Sequence, residues 1–211
     1  IHTLDPAWLL EEGSGQTHIN HRESLHYTQD CLQSAVLNHS RWRAFPKHLL
    51  ELMHAYLPKN ASEIFNPSRG DPVATLVHGD VNPGNVLGFQ ESTSTSDTRA
   101  VFQPTSLIDY GDAVFLGDPL IDIVSVFVTI LNCRRDWENG GALSAYWAAL
   151  TKSSVLPQTG ARLAKRCMWH ALLWPSEGLS MHLTRCMPEI GEMSSWEEVE
   201  DAVFGWWAKT R

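Results

Sequence analysis

With 211 residues, 43% of them hydrophobic, the chain can bury the core of one domain or one large lobe. Its 24 acidic against 16 basic residues give a formal charge of −8, and no Lys/Arg run tracks a phosphate backbone, which argues against nucleic acid as a partner. Four scattered cysteines, Cys31, Cys133, Cys167 and Cys186, suggest a reducing, cytoplasmic setting, and the longest apolar stretch, Ile121 to Leu131, falls short of the ~20 residues of a membrane span.

In chain order, Leu25, Leu32, Ala35 and Val36 recur at helical spacing and predict an amphipathic helix from about Arg22 to Leu37. A second helix is expected over Phe45 to Pro58, with Pro46 in its first turn and Pro58 at its stop. Two prolines and a glycine between Asn66 and Pro72 break regular structure before a short strand, Val73 to Val77, whose end delivers the segment His78 to Asn85. Short strands at Val86 to Phe89 and Ser106 to Ile108 flank a Ser/Thr-rich stretch, so residues 90–105 are expected to form a flexible hairpin tip. Leu120 to Asn132 is apolar almost all round, as a buried helix would be. Helical periodicity returns at Ala142 to Leu150 and Ala161 to Trp174. Ser195 to Glu198 then matches a capping box for a last helix reaching Trp207.

The chemistry concentrates between these strands and the apolar helix. Moving a phosphoryl group needs a carboxylate beside the attacking hydroxyl and oxygen ligands for magnesium on the nucleotide phosphates. Asp80 lies in a loop shaped by Gly79, Pro83 and Gly84, with Asn85 five positions on and Asp109 at the end of the next hairpin strand. Their carboxylate and amide oxygens are hard ligands, and magnesium on a nucleotide needs only one or two such protein groups. Each also has a plainer role available, because Asp, Asn, Gly and Pro are the usual turn residues. His78 is expected to be a structural member of the loop. Asp122, one turn into an apolar helix, requires hydrogen-bond partners and reads as a brace of that loop. Asp112 and Asp118 could each face phosphates, although Gly117-Asp118-Pro119 favours a helix cap for Asp118. The histidines His18, His21 and His26 read as a solvated helical face rather than a metal site, and the nine tryptophans as packing.

His78-Gly79-Asp80-x-x-Pro83-Gly84-Asn85, then Ile108-Asp109-Tyr110-Gly111-Asp112 and Leu116-Gly117-Asp118-Pro119-Leu120-Ile121-Asp122-Ile123, resembles the aminoglycoside phosphotransferase and choline kinase-like family. The resemblance covers about Leu76 to Phe127. It implies an α+β, predominantly helical fold: a protein kinase-like C-terminal lobe with a short β-hairpin beside the catalytic loop. It further implies that Asp80 is the catalytic base, that Asn85 and Asp109 bind magnesium and with it ATP, and that Asp122 steadies the loop. The acceptor would be a hydroxyl of a small molecule.

Residues 1–211 are then expected to be that C-terminal lobe alone. Only 77 residues precede His78; they look helical and contain two lysines, Lys47 and Lys59, neither in a strand. Glu12-Gly13-Ser14-Gly15-Gln16 is a lone Gly-x-Gly, not a phosphate loop. The N-terminal lobe that such enzymes use is therefore expected either upstream of Ile1, among other domains of a longer polypeptide, or lost. In the latter case the lobe would be a non-catalytic, pseudokinase-type binding or regulatory domain.

Overall fold

Apolar residues at helical spacing build most of the residues that the computed structural model describes, 21–65, 75–91, 101–110, 115–133, 141–152, 161–174 and 177–209. Helix α1 runs over His21–Trp42, α2 over Lys47–Tyr56 and α3 over Ala61–Ile64. Pro46 sits just before α2 rather than inside it, because its ψ of 148° is extended although its ring holds φ at −55°. After the strands come α4 (Leu120–Ser125), α5 (Ala142–Lys152), α6 (Ala161–Leu173), α7 (Glu177–Cys186) and α8 (Trp196–Lys209). No described helix is long and apolar enough to cross a membrane.

Helix α6 is the centre of the helical body, packed against α8, α4, α1 and α7. Leu163, Cys167 and Met168 of α6 join Ile123, Val124 and Phe127 from the α4 segment and Val199, Val203 and Phe204 from α8 in one buried core. Each large side chain buried there is worth roughly 1.5–3 kcal/mol in removed apolar surface. Tryptophans serve this packing, as expected. Trp196 meets Phe45 edge-on at 5.0 Å and Tyr56 at 5.9 Å, and its indole N–H donates to Leu49 O at 2.8 Å. At the start of α8 the capping box is half as expected. Glu198 N–H donates to Ser195 Oγ at 3.2 Å, but the Glu198 carboxylate reaches one residue further back, to Ser194 N–H at 2.7 Å.

Two antiparallel strand pairs complete an α+β, predominantly helical architecture. β1 (Thr75–Val77) pairs with β4 (Phe115–Gly117), and β2 (Val86–Glu91) with β3 (Val101–Leu107). The second ladder runs on to Glu91 opposite Val101, so residues 90, 91 and 101–105 are paired strand rather than hairpin tip. Polar composition weakens side-chain packing, yet a ladder is bonded through the main chain. A register shift at Leu87/Gly88 accommodates Pro104, which has no N–H to donate. Residues 92–100 lie outside the described residues.

The helix expected over 120–132 changes character partway. α4 widens at Val126–Ile130 into a π turn, in which Leu131 N–H reaches back to Val126 O at 3.0 Å. This apolar segment lies beneath the loop that follows β1.

Candidate active site

β1 ends at Val77 and hands the chain to a loop braced around Asp80 by several hydrogen bonds. Gly79 takes φ 79°, a left-handed conformation that a Cβ would strain. Immediately around it, the Asp122 carboxylate accepts two main-chain hydrogen bonds, His78 N–H to Oδ2 at 2.8 Å and Gly79 N–H to Oδ1 at 2.9 Å. Asp122 is thus the expected loop brace. Burial pushes its carboxyl above the ordinary value, and those two amides offset the rise only in part.

The buried His78 ring uses both nitrogens. Nδ1 accepts from Asp80 N–H at 3.3 Å, which leaves the hydrogen on Nε2 to be donated to Ile108 O at 2.8 Å. A ring committed in this way is a structural pin, and Tyr110 packs on its edge at 4.7 Å. Asn85 closes the loop. Its Nδ2 donates to Asp80 O at 2.9 Å and to the Asp80 carboxylate at 3.2 Å, while its own carbonyl accepts from Ile108 N–H at 2.9 Å. Asn82 adds a turn brace, accepting from Gly84 N–H at 2.8 Å.

Asp80 and Asn85 are therefore brought together, and Asp109 is carried next to them by Ile108, which bonds to His78 and Asn85 at once. Asp109 has φ 64°, a region that Asp tolerates better than most side chains. It is exposed, and its carboxylate bonds to no described residue. These positions could hold a hard cation between them. Because Nδ2 of Asn85 is committed to Asp80, Oδ1 is the atom left to face a cation, and the Asp109 carboxylate is the second hard oxygen donor. Among the described residues no cluster of three or more His, Cys, Asp or Glu could cage a metal by itself, which is compatible with a set of two.

Asp118 shows what the linear pattern conceals. Its Oδ1 accepts from Leu120 N–H at 3.1 Å, the cap-like bond expected of it. Its Oδ2 takes Arg166 Nη2 at 2.6 Å and His170 Nε2 at 2.8 Å, all three side chains being buried. Burial opposes its charge, but His170, Arg166 and the Leu120 amide outweigh that and hold the carboxyl below its ordinary value. Asp118 is accordingly spent inside the fold and does not face phosphates. Asp112 and His18 lie outside the described residues. His26 makes an exposed contact to Asp30 at 3.4 Å.

No family model matches the chain, and no curated protein matches it. Chemically, the arrangement offers a half-buried carboxylate held by an amide, beside two oxygen donors, on a main chain gripped from a buried helix.

Proposed function

We propose that the chain is the catalytic lobe of an ATP- and magnesium-dependent phosphotransferase of the aminoglycoside phosphotransferase and choline kinase-like kind, acting on a hydroxyl of a small molecule. The observation that supports it best is the joint anchoring of Asp80, Asn85 and Ile108-Asp109 through His78, with Asp122 gripping the loop from below. Asp80 accepts the proton of the attacking hydroxyl, and the Asn85 amide orients its carboxylate. Asn85 Oδ1 and Asp109 hold magnesium, which when bound neutralises charge on the phosphates. The setting is cytoplasmic, and other domains of a longer polypeptide are the expected protein partners.

The test is phosphoryl transfer from MgATP to a panel of amino sugars and amino alcohols, measured in the natural polypeptide. Asp80→Asn keeps the size and a hydrogen-bonding head but removes the base, and is expected to lower kcat by about 10²–10⁴-fold with an unchanged melting temperature. Equal turnover by both proteins overturns the assignment.

A second reading, a non-catalytic binding or regulatory domain, is favoured by one observation: none of the four described strands carries a lysine. The two readings separate by thermal shift. MgATP at about 100 times its Kd stabilises a binding protein by about 2.7 kcal/mol, whereas no shift at millimolar nucleotide favours the second.

A further inference from the structure

Two hydroxyls beneath the loop converge on one carbonyl. Ser125 Oγ–H donates to Val81 O at 2.6 Å, and Thr129 Oγ1 lies 3.2 Å from the same oxygen. Thr129 also stands 2.8 Å from Ser125 O, so its single proton is shared between, or alternates between, two acceptors. Asp122, Ser125 and Thr129 follow one another at spacings of three and four and so occupy one face of the segment. The π turn begins at Val126, between the two hydroxyls in sequence.

A buried carbonyl needs one donor. Val81 is buried, and Ser125 at 2.6 Å already satisfies its carbonyl. The second donor is surplus to satisfaction, and the acceptor belongs to the residue immediately after Asp80. Upstream of Asp80 the Asp122 carboxylate holds the amides of His78 and Gly79. The Asp80 carbonyl itself is held by Asn85 and, at 3.3 Å, by Asn82.

We infer that Ser125 and Thr129 are positioning residues for the phosphoryl transfer proposed above: by locking the Val81 carbonyl they complete, with Asp122, a clamp on both sides of Asp80. The inference rests on that proposed function for its catalytic part. With the main chain fixed on both sides, only the Asp80 side-chain torsions remain to aim the carboxylate, and Asn85 restrains those. A misplacement of about 1 Å in such a group costs about 10²-fold in rate.

The experiment compares Ser125→Ala, Ser125→Ala/Thr129→Val and the hydroxyl-retaining Ser125→Thr in the natural polypeptide, with two readouts. Steady-state ADP formation from MgATP with an acceptor from the same panel should show kcat lowered about tenfold in the single variant and about a hundredfold in the double, with KM for MgATP within about twofold and recovery in Ser125→Thr. Amide hydrogen exchange should accelerate in peptides spanning 78–85 while α6 and α8 exchange as before. Unchanged exchange in the loop overturns the clamp, whatever the activity. Acceleration spread equally over α6 and α8 also overturns it, since the hydroxyls would then support only the global fold. Faster loop exchange with unaltered kcat, where Asp80→Asn is inactive, overturns the positioning role. Absence of turnover in the unsubstituted protein counts against the proposed function instead, and the clamp is then decided by exchange alone.

Discussion

Asp118 and Asp122 stand one helical turn apart where α4 begins, and the protein holds them by opposite means. Asp118 points its charge at side-chain donors: the Arg166 guanidinium and the His170 ring arrive from α6, and its carboxyl is held below the ordinary value despite burial. Asp122 is held by main-chain dipoles, the amides of His78 and Gly79, and burial leaves its carboxyl raised. The first joins helix to helix inside the core. The second joins the core to the loop that carries Asp80. A paired ion suits a joint that never opens, whereas a carboxylate restrained by two main-chain amides grips a segment whose fine position matters.

The contrast breaks most readily at Asp118. Asp118→Ala removes the carboxylate that the buried Arg166 guanidinium pairs with, and loss of one partner of a buried pair costs about 3–5 kcal/mol. Urea unfolding should show that loss as a lower midpoint, and a loss below about 1 kcal/mol would mean that the ion pair is not what joins α4 to α6. Asp122→Asn is milder for stability, about 1–3 kcal/mol, because its amide can accept one of the two main-chain hydrogens but turns an N–H toward the other. Its signature is a loss of turnover out of proportion to the stability loss, and a variant that lost stability alone would erase the distinction between the two aspartates.

The smallest effect is in pH, with opposite signs for the two groups. Asp118, with its folded pKa depressed below 3.8, contributes stability that is present above that value and is lost as pH falls through the lower, folded one. Asp122, raised above 3.8, takes up a proton on folding, so its own contribution increases as pH falls through the interval just above 3.8. Melting temperature followed from about pH 6 to 3 should lose its steepest acid limb in Asp118→Asn and change only in the upper interval in Asp122→Asn.

Much of this organisation was legible beforehand because it is local. Gly79, Pro83 and Gly84 mark a tight loop, strands flank it, and Asp122 in an apolar helix needed a polar partner within reach. What escaped was long-range or hidden by averaging. Arg166 and His170 meet Asp118 from 48 and 52 residues away, and nothing in the periodicity of Ala161 to Trp174 distinguishes a buried cation from a solvated one. β4 is three residues long and owes its pairing to β1. An apolar count over 120–132 likewise treats Ser125 and Thr129 as tolerated interruptions, although their hydroxyls meet the Val81 carbonyl.

The double attachment of Ile108, through its oxygen to His78 and through its N–H to Asn85, has a thermodynamic consequence. Main-chain freedom around Asp80, Asn85 and Asp109 is surrendered when the protein folds, not when a ligand arrives. For the phosphotransferase proposed above, an incoming substrate would meet an arrangement already assembled, so that little of its binding free energy is consumed in ordering the protein and more is left to discriminate between one bound molecule and another.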